Sequence, residues 1–193
     1  VTNLTCNITV NSNGGDAEDV VLQVRMKGDI AKTYSLVDRY TNHKAGYSMY
    51  GISVKPEGQD MWRWYTPVTN DVTLYAAYAD VTPLIGTYNV TSFYYSTSAS
   101  AGKWSFDETH FYWNYKDGGS SAYNYVFDGK HIFIKNYLGE WESSFGGYAY
   151  EIFALQADGS IKGLDVNDDS CEYKAVKTSN TTTFVDLADL IKS

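Results

Sequence analysis

The sequence predicts a mainly β protein in two modules, the first with one short helix and the second a small antiparallel β-barrel or sandwich. Three observations carry this expectation. The 193 residues include 18 Tyr, 8 Phe and 5 Trp against 3 Pro, and aromatic and β-branched residues favour pleated, half-buried surfaces. Hydrophobic residues make up 44% and charged residues 20%, the balance of a chain that buries a core and not of a disordered one. Asp117-Gly118, Asp128-Gly129 and Asp158-Gly159 punctuate the second half, as the tight turns of a meander require.

In chain order, Cys6 to Asn11 reads as a strand, Ser12-Asn13-Gly14-Gly15 supplies left-handed turn positions, and Val20 to Met26 returns to complete a hairpin. Between Ile30 and His43 the apolar residues Ile30, Tyr34, Leu36, Val37 and Tyr40 follow helical spacing, which predicts a short helix. Aromatic-rich strands are expected at Tyr47 to Tyr50 and Trp62 to Tyr65, on either side of the turn Lys55-Pro56-Glu57-Gly58-Gln59-Asp60. Val72, Leu74, Ala76 and Tyr78 alternate with Thr73, Tyr75 and Ala77, a strand with one face buried and the other partly wet.

The closing run Trp64-Tyr65-Thr66-Pro67-Val68-Thr69-Asn70-Asp71-Val72-Thr73-Leu74-Tyr75-Ala76-Ala77-Tyr78, together with the early Ser12-Asn13-Gly14-Gly15 and Gly46-Tyr47, resembles the Listeria–Bacteroides repeat, or internalin B-repeat. The likeness spans residues 4 to 79. It implies a small β-grasp-like module of bacterial surface proteins, a spacer or adhesive repeat and not an enzyme. Gly46-Tyr47-Ser48-Met49-Tyr50-Gly51-Ile52 departs from the family, which commonly has an aromatic where Ile52 stands.

Asp80-Val81-Thr82-Pro83 is the expected seam, giving modules 1–82 and 83–193, because proline holds the residue before it extended. Residues 1–82 carry nine acids and seven bases, whereas 83–193 carry fourteen and eight, so the acidity belongs mostly to the second module. There, strands are expected at Gly86 to Tyr95, Lys103 to Phe106, His110 to Lys116, Ala122 to Phe127, His131 to Asn136, Tyr148 to Gln156, Ser160 to Val166 and Cys171 to Lys177. Leu84-Ile85-Gly86-Thr87-Tyr88, Trp104-Ser105-Phe106-Asp107 and Tyr125 through Ile134 are similar to the bacterial lipocalin-like domain family, over about residues 84–177. That resemblance implies an eight-stranded barrel. Phe184, Leu187, Leu190 and Ile191 share one side of an expected helical tail.

A net charge of −8 and a pI near 4.7 oppose a phosphate backbone, so nucleic acid is not an expected partner. No apolar run reaches the length of a membrane span. Cys6 and Cys171 match no metal-ligand spacing and read as two isolated thiols in preference to a disulfide. Sequons at Asn3, Asn7, Asn89 and Asn180 suit a glycosylated protein.

Sets of residues that do chemistry are scarce. His43, His110 and His131 share no spacing, and no nucleophile elbow, metal helix or phosphate loop is present. Glu140 and Glu142 flank Trp141 and would share one strand face, the arrangement of a glycosidase pair, but they read in preference as a solvated strand edge. Asp165, Asn167, Asp168 and Asp169 crowd oxygen ligands as calcium loops do, without the glycine and distal glutamate of such loops, and read as an acidic turn. The aromatics Tyr112, Trp113, Tyr123, Tyr125 and Trp141, with Tyr94-Tyr95 nearby in pattern, are the candidate ligand-binding residues. They would form a sugar-stacking platform, line an apolar pocket, or simply fill the core.

The expectation is therefore a non-catalytic protein of the bacterial surface or secreted fraction, structural, adhesive or binding, with no cofactor or metal and with any signal or anchor outside this sequence. Its expected partners are a host or cell-wall protein or glycan. The alternatives are a lipocalin-like barrel holding a small apolar ligand, and a glycan-binding or glycan-active protein.

Overall fold

A hairpin opens the fold, β1 (Thr5–Asn11) and β2 (Val20–Arg25) running antiparallel from Thr5↔Arg25 to Val10↔Val20. Cys6, Ile8 and Val10 share the buried face of β1, the two-residue alternation of a half-buried strand. In the turn after β1, Asn13 adopts a φ of 51° and its side chain donates to the Pro56 and Ala76 carbonyls. The computed structural model describes residues 4–137, 148–164 and 171–182. The chain divides into two units, Val1–Ala79 and Asp80–Ser193.

In the first unit, α1 (Ile30–Arg39), β3 (Tyr47–Ser53) and β4 (Val72–Asp80) follow the hairpin. The sheet order is β2-β1-β4-β3, with β1 and β4 parallel at its centre, and the helix connects β2 to β3. This is the β-grasp arrangement. Ten residues of helix are too few to be stable alone, so α1 depends on packing. Leu36, Val37 and Tyr40 supply it, lying against a core of Ile8, Val10, Val24, Ile52, Trp62 and Leu74.

Two expectations fail here. Trp62 to Tyr65 is not a strand: only Met61 bridges to Ser53, after which the chain turns, the Thr66 amide donating to the Arg63 carbonyl. In a strand Trp62 and Trp64 would share one face; the turn instead buries Trp62 and leaves Trp64 and Tyr65 outside. In β4 the alternation holds through Ala76 and then breaks, because Ala77 and Ala79 are buried as well. The turn bearing Gly58 lies over Ala77 and is fastened by the Tyr50 hydroxyl, which donates to the Gly58 carbonyl.

The second unit is one meander: β5 (Gly86–Tyr94), β6 (Thr97–Phe106), β7 (His110–Asn114), β8 (Ser120–Phe127), β9 (His131–Tyr137), β10 (Tyr148–Leu155), β11 (Ile161–Leu164) and β12 (Cys171–Ser179). β12 pairs back onto β5 from Cys171↔Tyr94 to Ser179↔Thr87. The sheet thereby closes into an eight-stranded antiparallel barrel, and the sandwich alternative falls. Closure leaves no exposed edge. The expected tail helix lies outside the described residues. No disulfide joins Cys6 and Cys171.

The end of the barrel that carries the β6–β7, β8–β9 and β10–β11 turns is termed the lower end. The 81–85 turn plugs it: Val81 and Leu84 are fully buried, and the Tyr88 hydroxyl donates to the Leu84 carbonyl at 2.8 Å. An aspartate caps each lower turn. Asp107 accepts from the Thr109 and His110 amides at 2.8 and 2.6 Å. Asp128 does so from Lys130 and His131 at 2.9 and 2.6 Å, and Asp158 from Ser160 at 3.0 Å. Burial alone would raise the Asp107 and Asp128 carboxyls, but the amide donors outweigh it and hold both below the usual range. The Ser160 hydroxyl and amide hold Asp158 low.

A carboxyl depressed in the folded state contributes stability that is present above its unfolded value, near 3.9, and is lost as pH falls through the folded value. Urea midpoints measured from about pH 7 down to pH 2 should therefore fall steeply below roughly pH 4. Asp128→Ala is expected to cost about 1 kcal/mol at neutral pH, with the difference from wild type shrinking toward the acid end.

Candidate functional site

Alternation along the strands decides which side chains enter the barrel. Trp104 on β6 and Phe153 on β10 stand four strands apart either way round the ring, yet their ring centroids are 4.5 Å apart. The barrel axis is filled at that level. Phe111 joins them, 5.5 Å from Trp104, 5.0 Å from Phe106 and 6.2 Å from Phe153. Tyr88, Phe106, Phe127, Ile132 and Ile161 are all buried toward the lower end. The lower half of the barrel is thus a packed core.

Toward the upper end the rings keep part of their surface. Trp113 stacks on Tyr115 at 5.1 Å and meets Tyr173 edge-on at 5.1 Å. Tyr123 lies parallel to Phe111 at 6.1 Å. At the β5–β6 turn on the same end, Tyr94 and Tyr95 form an edge-to-face pair at 4.6 Å and are exposed. Edge-to-face and offset pairs of this kind are favourable beyond the area they bury, so the upper end is an ordered aromatic rim.

A β-bulge positions Trp113. Val90 faces Gly102 while Thr91 faces Ser100, which leaves Ala101 as the extra residue. The Ala101 carbonyl, released from the ladder, accepts the Trp113 indole N–H at 3.0 Å. Gly102 permits this with a φ of 99°, and a Cβ there would stand 2.1 Å from the Asn114 carbonyl oxygen. Only glycine fits a position that is both left-handed and this close to backbone.

Trp104, paired across the ladder with Trp113, is in the opposite condition. It is fully buried, and its indole N–H has no hydrogen-bond partner among the described residues. A buried donor left unmade costs about 1–3 kcal/mol. An acceptor brought into the upper end from outside the chain would recover that cost. The other such atom among the described residues, Asn114 Oδ1, follows Trp113 by one residue, and alternation puts it on the outer face.

Of the five residues singled out by sequence, the four that are described do not converge on one site. Trp113 and Tyr123 reach the upper rim. Tyr125 is inside but deep, its hydroxyl donating to the Asp107 carbonyl at 2.7 Å, and burial pushes its phenol up. Tyr112 lies on the outer face, because neighbours on a strand point oppositely. There its hydroxyl donates to Asp107 Oδ2 at 2.9 Å, and burial, then the Asp107 carboxylate, push its pKa up to about 12. Trp141, Glu140 and Glu142 lie outside the described residues, as does the acidic run Asp165 to Asp169.

Sequence reasoning missed Trp104 and Tyr173 as rim partners. The signal that could have found Trp104 was its register with Trp113, which is invisible until the β6–β7 turn is placed. The three histidines each meet a nearby aspartate, His43 with Asp16, His110 with Asp107 and His131 with Asp128. Among the described residues no group of three or more His, Cys, Asp or Glu side chains is arranged to hold a metal ion, and no helix is long and apolar enough to cross a membrane. The chain matches no family model, no curated protein and no solved structure, so both family resemblances rest on the residues quoted for them.

Proposed function

We propose that the chain is a non-catalytic binding protein of the bacterial surface or secreted fraction. On this reading the upper end of its barrel takes a small, mostly apolar ring compound bearing one hydrogen-bond acceptor. The observation that carries the reading is the unmade Trp104 indole N–H, buried beneath a rim of partly exposed rings. Sites of this class are concave, mostly apolar and oriented by few polar groups; here Trp113 and Tyr123 would cover the ring and Trp104 would fix its acceptor. The packed lower half limits the ligand to the rim and the space just within it. The reading assigns no catalytic group and no cofactor.

The test is titration with 1-anilinonaphthalene-8-sulfonate, an aromatic probe carrying acceptor oxygens, followed by its fluorescence. Saturable binding is expected, weakened at least tenfold, about 1.4 kcal/mol, in Trp113→Ala. Trp104→Phe should keep the unfolding free energy within about 1 kcal/mol of wild type, since removing the unmade donor offsets the smaller ring, and yet weaken the probe. Binding that ignores both substitutions would overturn the proposal.

A structural or adhesive role for the first unit is the second reading. The closing run Trp64 to Tyr78, with its likeness to surface repeats, favours it. The two readings are compatible, one unit spacing or presenting and the other binding.

A further inference from the structure

The turn that replaced an expected strand in the β-grasp unit leaves aromatic surface unburied. Trp64 is 37%, Tyr34 51% and Tyr65 62% exposed. Trp64 meets Tyr34 edge-on at 5.6 Å and Tyr65 edge-on at 5.4 Å, so the three form one patch. Clustered exposed aromatics on a small domain mark a recognition surface more often than scattered ones do.

The patch borders a pocket of about 330 Å³, bounded by Lys27, Ile30, Thr33, Trp64, Tyr65 and Pro67 among others. A second pocket of about 290 Å³ adjoins it, reaching Trp62, Thr69, Asn70 and Asp71. Thr66, Pro67 and Val68 line both, so the two form a groove crossing the Thr66–Val68 segment.

The groove is held in shape before any ligand arrives. The Thr33 hydroxyl, on the helix, donates to the Trp64 carbonyl at 2.8 Å, and the Lys27 amide donates to the Val68 carbonyl at 3.1 Å. Lys27 and Asp29 keep left-handed backbone conformations at the rim, φ 52° and 57°, which non-glycine residues hold only where surroundings impose them. The Asp29 carboxylate imposes it by accepting from the Arg25 amide and guanidinium. A prearranged site loses little entropy on binding.

The lining chemistry chooses the ligand class. Its charged members are one cation, Lys27, and one anion, Asp71, and the Asp71 carboxylate already accepts the Asn7 amide. Such a lining does not select a strongly charged ligand. Exposed indole and phenol faces suit the C–H face of a pyranose, while Thr66, Thr69 and Asn70 offer neutral donors and acceptors for hydroxyls. We infer that this groove binds a neutral oligosaccharide, one pyranose lying against Trp64 and Tyr65 and the next across Pro67 toward Asn70. This inference is independent of the barrel site.

The full chain should be titrated with cellotriose, maltotriose, xylotriose and chitotriose up to about 10 mM, with 3′-sialyllactose as the charged control. Tryptophan fluorescence and backbone amide NMR shifts provide the readouts. At least one neutral trisaccharide is expected to saturate, with shifts concentrated at Lys27, Thr66 and Asn70. Trp64→Ala should weaken it at least tenfold and Tyr65→Ala severalfold, and Tyr65→Ala should leave the thermal midpoint unchanged because its ring is mostly in solvent. Trp113→Ala should leave sugar binding intact, separating failure here from failure at the barrel. The inference is overturned by a silent neutral panel, by response to the sialylated sugar alone, or by indifference to both groove substitutions. Self-association abolished by Trp64→Ala would overturn it too, assigning the patch to a second copy of the chain.

Discussion

Gly102→Val is expected to destabilise the barrel by roughly 3–5 kcal/mol. Two independent penalties combine. The φ of 99° is unfavourable for any L side chain and worst for a β-branched one, and the new Cβ would stand 2.1 Å from the Asn114 carbonyl oxygen and 2.9 Å from the Lys116 amide nitrogen. The contacts are backbone, so a rotamer change cannot relieve them. Chemical denaturation monitored by far-ultraviolet circular dichroism would measure the loss. If the strand escapes by expelling the bulge, the Ala101 carbonyl re-enters the ladder and Trp113 loses its acceptor, and the tryptophan emission spectrum should then change. Near-wild-type stability would mean that the bulge does not hold the geometry described.

Phe111→Ala is expected to cost roughly 3–5 kcal/mol. Phe111 is fully buried and among the described residues touches five rings, those of Trp104, Phe106, Trp113, Tyr123 and Phe153. Its removal leaves a cavity that strands fixed on all sides by their ladders cannot collapse into. The companion measurement is Val126→Ala on the neighbouring strand, where the side chain is 37% exposed and the cost should stay within about 0.5 kcal/mol. Equal costs at the two positions would show that the rings are loosely packed and that the axis is not the centre of cohesion.

Much of the architecture was legible because local chemistry and global fold agree. Asp117-Gly118, Asp128-Gly129 and Asp158-Gly159 announce turns, and each falls between two strands of the barrel, with Asp128 and Asp158 capping theirs. The apolar residues between Ile30 and Tyr40 announce the helix. Legibility failed where the deciding force was pairing. Thr97 to Gly102 is a run of small residues with no hydrophobic contrast, so β6 was expected to begin at Lys103; its ladder with β5 from Tyr94↔Thr97 onward makes it a strand. The bulge at Ala101 is a consequence of that ladder and has no signature of its own.

The candidate sites divided in the same way. A period of two dictates that Tyr112 and Trp113 face opposite ways, but both are aromatic, and composition cannot say which faces inward. The Trp104–Trp113 register settles it, and that register depends on the Asp107 turn being placed correctly. At Trp62 to Tyr65 the aromatics resembled a strand because aromatic residues favour strands. The core had room for Trp62, while Thr33 drew the Trp64 carbonyl into a turn, and the surplus rings became surface.

The seam between β12 and β5 sets the order in which the barrel can assemble. Every other ladder of the barrel joins strands adjacent in sequence, so hairpins such as β5–β6 and β8–β9 can zip early and locally, whereas the second edge of β5 must await β12 from the far end of its unit. Contacts that distant in sequence are slow to form, because loop entropy is lost before pairing compensates for it. As the chain emerges from the ribosome, β5 therefore waits with one edge bare, presenting Tyr88, Val90 and Phe93 to whatever strand arrives first. In a crowded refolding mixture that strand can be β12 of another molecule, and the exchanged dimer it would create buries the same ladder twice.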